Sequence, residues 1–220
     1  MQLKLNDIWP RFWMRFSGLS RIGRLAFGIA AVGSAPSYGR VPLSRFGRYG
    51  FISTSALIHH QKLSLSRRCF IGDGVTIYQA IEGEDIRLAE GVHIHRDTTL
   101  QTGRGGTIKI DAKTHIQLRC QVVAYAGPIH IGARGEIAPH CAFYSYDHGM
   151  SPELPVRKQP IKSRGGIVVG DDVWLGFGVI VLDGVHIGNN AVIGAGSVVT
   201  KDIPEASIAV GNPARVIKMR

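Results

Sequence analysis

The chain is 220 residues long, with a formal net charge of +10, 45% hydrophobic residues and three cysteines. That length suits one domain with a small appendage, and no run approaches the ~20 apolar residues of a membrane span. The odd cysteine count excludes a closed disulfide framework and no zinc-type spacing is present, so Cys69, Cys120 and Cys141 read as small buried hydrophobes in a reducing compartment.

Charge is unevenly placed: the first 50 residues hold eight basic side chains against Asp7 alone. Residues 3–34 are predicted to form an amphipathic helical arm, with Trp9, Phe12, Trp13, Phe16 and Leu19 interleaved with Arg11, Arg15, Arg21 and Arg24. Pro10 fits a first helical turn. Two readings of the arm stay open. Its aromatic face packs on the rest of the assembly, or residues 1–34 make a peripheral contact with an anionic membrane. No secretory leader is expected, because the polar, aromatic lead before Ile22–Val32 is long for one. No RNA- or DNA-reading motif accompanies the charge, so nucleic acid is not an expected partner.

From about Phe46 a strand-like period begins. Phe51, Leu57, Leu63 and Cys69 sit six apart, followed by IGDGVT at 71–76 and a looser stretch over 86–100. Ile110, Ile116 and Val122 form one set of three, and Ile131, Ile137 and Phe143 the next, after a slip at 128–130. Sets of three suggest three flat faces and roughly 18 residues per coil. After Tyr146 the pattern fails, and residues 149–166 contain three prolines and a basic cluster. Long loops inside compact domains are usually functional or disordered. This one opens directly after Asp147-His148.

Between Val169 and Pro204 the chain reads in sixes: VGDDVW, LGFGVI, VLDGVH, IGNNAV, IGAGSV, VTKDIP. The first slot is apolar throughout (Val169, Leu175, Val181, Ile187, Ile193, Val199), the fifth is small or β-branched, and Gly170, Gly176, Gly188 and Gly194 fill the second. A period of six fits neither an amphipathic helix nor simple strand alternation, so it is a structural repeat. The first and fifth slots are expected to point inward, and the second-slot glycines to adopt a backbone that a side chain would disfavour. No block can bury its apolar face alone, so coils must stack. The expectation is an all-β, parallel β-helix over 46–210 with loop 149–166 protruding, a basic arm over 1–45 and a C-terminal tail over 211–220.

These blocks, the histidine opening a long loop, and the closing AVGNPARVIK resemble the left-handed β-helix O-acyltransferases, in particular the acetyltransferases of sugars, capsule and exopolysaccharide. The match is close over 130–220, looser over 50–130 and absent over 1–45. Left-handedness is implied by the resemblance alone, and runs against the usual right-handed crossover. The resemblance further implies a homotrimer, active sites in the grooves between chains, and acetyl-CoA lying along the coils as acyl donor, with no metal.

Acyl transfer from a thioester to a hydroxyl needs a base, because an alcohol is a poor nucleophile near neutral pH; an imidazole suits that task. His148 matches the family's catalytic histidine by position. Asp147, on a normally inward slot, either orients His148 or satisfies loop amides. An oxyanion donor, a backbone N–H from the coil after the loop, maps near Gly176. Trp174 matches a tryptophan near the acyl donor, with plain packing as the alternative, and Ala195 a position whose backbone contacts pantetheine. Thr200, Lys201 and Arg215 match residues near the nucleotide end, where positive charge suits phosphates; a solvated basic edge is the alternative. The family's sugar enzymes often carry an asparagine on the preceding coil, and LRCQVVAYAG has none. Tyr125, Tyr144 and Tyr146 are therefore the candidates for lining the acceptor pocket.

The other histidines mostly take outward slots and read as surface residues. They do not match the arrangement of the γ-class carbonic anhydrases, which share this fold and bind zinc through histidines at subunit borders. The leading expectation is an acetyl-CoA-dependent O-acetyltransferase acting on a saccharide in surface-polysaccharide assembly, in the cytoplasm or on the inner face of the membrane. Its rivals are an N-acetyltransferase on an amino sugar nucleotide, and a non-catalytic trimeric scaffold docking on membrane through the arm.

Overall fold

The computed structural model describes residues 8–220; residues 3–7 of the expected arm lie outside the described residues. From Phe51 onward, successive short strands pass to sheet A, sheet B and sheet C in turn, and then back to A. Sheet A runs from Phe51–Ile52 to Arg215–Met219, sheet B from Leu57–His59 to Val198–Val199, and sheet C from Leu63–Leu65 to His186–Ile187. Pairing within each sheet is parallel, apart from the terminal strand of sheet A, so each A–B–C circuit is one coil of a three-sided prism.

Adjacent coils are 18 residues apart in register where the turns are short, as between Trp174 and Val192. They reach 38 residues between Arg134 and Asp172, on the coil that carries the loop. The excess collects at one corner: turns 80–85, 103–107, 125–128 and 145–166 all join sheet B to sheet C. The slip in the sequence period at 128–130 belongs to this stack of turns.

The core follows the hexad. All six first-slot residues from Val169 to Val199 and all six fifth-slot residues from Val173 to Ile203 are buried. Each inward Val, Leu or Ile contributes about 1.5–3 kcal/mol relative to exposure. Cys69, Cys120 and Cys141 are buried and free, and Cys141 Sγ lies 3.2 Å from the Gly176 carbonyl. In the first coil the register differs from expectation: Leu57 is 55% exposed and Ile58 packs against the core instead. Phe51 faces outward from its coil and is buried all the same, because the arm covers it.

The glycine reading needs correction. Positive φ falls on the fourth slot, at Asp172, Gly178, Gly184, Asn190 and Gly196, while none of the second-slot glycines has it. What demands glycine in the second slot is the next coil: a Cβ on Gly176 would lie 2.6 Å from the Ala195 nitrogen. Asp and Asn tolerate the left-handed region better than other side chains, so the fourth slot is the less selective of the two.

The arm is two helices rather than one, α1 (Ile8–Met14) and α2 (Arg21–Ala30), followed by a 3₁₀ stretch, Ser37–Arg45. Ser20 caps α2 through the Gly23 amide, 3.1 Å away. Met14, Phe27, Ala30 and Leu43 are buried with Phe51 at the start of the prism. The first coil would otherwise end in unpaired carbonyls; the Arg24 guanidinium donates to those of Ser53, Thr54 and Ala56. At the far end, Arg215–Met219 folds back antiparallel on Ser207–Val210, so the expected tail is a strand that blunts the last edge. No helix among the described residues is long and apolar enough to cross a membrane.

Two histidines read as surface residues are not. His95 is 4% exposed, under the Tyr38 ring at 4.6 Å and beside Phe70 at 5.5 Å. His93, half-buried, stacks on His115 at 4.4 Å. Burial, then the nearby His115, lowers His95 to about 4. Unfolded chain therefore takes up a proton between pH 6.5 and 4 that folded chain refuses, so stability is full above that window and falls as pH drops through it. At 1.36 kcal/mol per pH unit, His95 alone accounts for roughly 3 kcal/mol. We expect the melting temperature to fall on acidification across this window, and His95→Gln to flatten the decline. Parallel curves for wild type and variant would remove His95 as the cause.

Candidate active site

At the B–C corner, strand Ala142–Tyr144 leaves sheet B and the chain departs from the coil. Asp147-His148 pairs antiparallel with Ile161–Lys162, so the loop opens and returns as a small hairpin. Within it, the Gln159 side chain accepts from the Ser151 amide at 2.9 Å and donates to the Ser151 and Leu154 carbonyls at 2.8 and 2.7 Å. A segment that the sequence left as functional or disordered is thus tied by its own hydrogen bonds.

The returning limb is anchored by Asp183, which is 1% exposed. Its carboxylate accepts from Ser163 Oγ at 2.8 Å, from the Gly166 amide at 3.0 Å and from the Arg164 amide. The Arg164 guanidinium lies 3.9 Å from Asp183 and 3.5 Å from Asp147. Asp147 is half-exposed and meets Arg164; no hydrogen bond joins it to His148 among the described residues. Sequence reasoning missed Asp183. Its only signal was a carboxylate in the third slot of VLDGVH, and nothing in the sequence indicated that loop amides would arrive there.

His148 is exposed, with its ring 6.2 Å from that of Tyr146. Tyr146 in turn lies 5.3 Å from Tyr125 and 6.1 Å from Tyr144. The three candidate tyrosines and the candidate base therefore share one corner. Burial, then the neighbouring phenols, raises the Tyr146 pKa. Tyr125 lies flat on the preceding coil: its hydroxyl accepts from Gln101 Nε2 at 3.0 Å, and a Cβ on Gly103 would come within 1.9 Å of its ring. Gln101 and Gly103, which the sequence did not single out, hold that ring.

The remaining candidates lie elsewhere on the prism. Trp174 is on sheet A, the face opposite the B–C corner, and is 56% exposed beside a cleft of about 690 Å³ lined by Glu136, Asp172, Val192 and Arg220. Gly176 and Ala195 stack on neighbouring coils at the A–B corner. The Gly176 amide is not available as an oxyanion donor, because it donates to the Ile193 carbonyl at 2.8 Å as part of the coil ladder. The next amide along, that of Phe177, and the stacked amide of Ala195 donate to nothing among the described residues. Thr200 and Lys201 sit at the B–C corner two coils beyond His148, and Arg215 is on the terminal strand of sheet A. One chain thus separates its candidate base from Trp174 by the body of the prism.

Residues 166–201 match the family described as Bacterial transferase hexapeptide (six repeats). A galactoside O-acetyltransferase from Lactococcus lactis is 44% identical over 88 residues, which is 40% of this chain and 42% of that protein. The crystal structure of a hexapeptide-repeat-containing acetyltransferase from Vibrio cholerae superposes with a TM-score of 0.52 at 28% identity, covering 60% of this chain and 72% of its own. An N-acyltransferase from Bacillus cereus superposes at 0.56 and 22% identity over 77% and 79% of the two chains, a likeness of fold alone. The chain spans about half the length, 41 to 57%, of the curated relatives it matches. Repeat, prism and these likenesses agree: the chain folds as a left-handed parallel β-helix, and its repeats over residues 166–201 match those of the bacterial transferase hexapeptide family.

Proposed function

We propose that this protein is an acetyl-CoA-dependent O-acetyltransferase that acylates a saccharide hydroxyl, with His148 as general base. The observation that carries the reading is the B–C corner: an exposed imidazole beside three phenols, at the mouth of a self-tied loop. Aromatic rings stack on sugar faces and phenol hydroxyls bond to sugar oxygens, so this corner suits a saccharide. The galactoside O-acetyltransferase relative, 44% identical over 88 residues, supports a hydroxyl acceptor.

The residues fit a pantetheine thioester. Two free backbone N–H groups on stacked coils, at Phe177 and Ala195, stand beside the exposed Trp174 and Phe177 rings. When bound, acetyl-CoA supplies an activated acyl group. The chain's own residues do the rest. His148 takes the acceptor's hydroxyl proton as the oxygen attacks, and the Phe177 amide is the donor for negative charge developing on the acyl oxygen. Lys201 and Arg215, both exposed, are the cations for the nucleotide phosphates. Asp147 and Arg164 act as positioning residues for the strand that carries His148.

Because the base corner and the Trp174 face are on opposite sides of one prism, the working site takes its two halves from adjacent chains of a homotrimer. The three buried thiols suit the reducing cytoplasm, and the pathway proposed is surface-polysaccharide assembly. The test is thiol release from acetyl-CoA with matched hydroxyl and amino sugars, alongside a solution mass. Turnover confined to hydroxyl sugars by a trimer is expected; turnover only with amino sugars moves the reading to N-acetylation, and an active monomer sinks the shared site.

A further inference from the structure

The face of the arm that looks away from the prism is apolar. Trp9, Phe12 and Phe16 on and just after α1, with Ile22, Leu25 and Val32 on and just after α2, are 49 to 79% exposed. Their spacing puts each set along one stripe of its helix. The two helices are joined by the Trp9 indole, which donates to the Ile29 carbonyl at 2.8 Å, and a ladder of edge-on rings from Trp9 to Phe16 runs along the first helix. The opposite face is already used, by Met14, Phe27 and Ala30 on the first coil. A small helical hairpin that is buried on one side and apolar on the other still lacks a partner for the second side.

Charge selects that partner. Residues 8–50 contain seven arginines and no carboxylate. Arg24 and Arg40 are taken up by carbonyls and by Asp73, and Arg11 lies over the Phe46 ring. Arg15, Arg45 and Arg48 are exposed and form no ion pair among the described residues. A second copy of the arm would repel them. The prism near the arm offers little better: Glu82, Glu84, Glu90 and Asp97 are each paired with the prism's own Lys or Arg. The exposed carboxylates without an ion pair among the described residues, Glu153, Asp202 and Glu205, lie on the loop and the last coil. An apolar stripe with Trp and Phe, bordered by unpaired guanidinium groups, matches the boundary between acyl chains and anionic headgroups.

We infer that the helical hairpin over residues 8–32 docks the protein on an anionic lipid bilayer, rings toward the acyl chains and arginines at the headgroups. The hairpin caps the first coil, so the later coils and the loop corner are carried away from the surface on which the protein sits. The inference is independent of the acetyl-transfer reading, since none of its residues belongs to the candidate site.

The full chain is sedimented with vesicles of phosphatidylcholine alone and of an equimolar mixture with phosphatidylglycerol. Binding is expected to the mixture, weakly or not at all to phosphatidylcholine, and to fall as salt is raised. Phe12→Ser/Phe16→Ser is expected to weaken binding at least about tenfold. Arg15→Ala/Arg48→Ala should weaken it about fivefold per arginine. These side chains face solvent, so unchanged circular dichroism melts confirm that the prism is intact; if the ring variant unfolds, the arginine variant and the salt series decide. Absence of binding to the mixture overturns the inference. So does binding that ignores both charge and salt. A fall in oligomeric mass in the ring variant, without vesicle binding by wild type, would assign the face to a neighbouring copy.

Discussion

His148→Ala is expected to lower acetyl transfer by about 10²–10⁴-fold, the range for a positioned base. The imidazole is exposed at the loop mouth and packs in no core, so its removal should leave stability within about 0.5 kcal/mol of wild type. Oligomeric mass and affinity for CoA should be unchanged, which separates a chemical loss from a structural one. His148→Gln keeps much of the shape and still cannot take up the proton, so it should be as poor as alanine. Thiol release from acetyl-CoA measures the loss. A variant that runs at full rate would show that the proton leaves by another route.

Asp183→Ala should be the most damaging single change to the loop. It removes a buried carboxylate that accepts from two backbone amides and Ser163 Oγ, leaving those donors without a partner and Arg164 with Asp147 alone. A buried donor left unsatisfied costs about 1–3 kcal/mol, here against a total stability of about 5–15 kcal/mol for a domain. Denaturant midpoint reads the cost, and limited proteolysis within 149–166 reads the release of the loop. Activity should fall with it, because Arg164 ties the strand of Asp147-His148 to the coil. Asp183→Asn keeps one acceptor and should lose less. An unchanged midpoint and an uncut loop would remove Asp183 as the anchor.

Much of the prism was legible because a six-residue period ties each apolar slot to one side of a strand, whatever the neighbouring coils do. The run from Val169 to Ile203 was read slot by slot, and every inward position is buried. The first coil was harder: with Phe51 and Ile52 both buried under the arm, the sequence offered two registers, and Leu57 belonged to the wrong one. At the site, His148 was marked by the failure of the repeat after it, and the tyrosines by lying in the two coils that lead up to that break. Phe177 could not be found this way. Its amide donates to nothing among the described residues while that of Gly176 is engaged one coil up, and which amides are engaged is a property of stacked backbones.

By itself the sequence determined the repeat, the inward slots, the place where the loop leaves, and the histidine at its mouth, since all of these are set by local spacing. Only the tertiary structure decided what stacks on what: second-slot glycines needed for the coil above them, His95 sealed beneath Tyr38, Asp183 receiving the loop, and Trp174 across the prism from His148. The reason is the corner between sheets B and C, whose turns differ in length from coil to coil and so set partners 18 to 38 residues apart. A fixed period cannot encode that variable offset, and contact between coils depends on it.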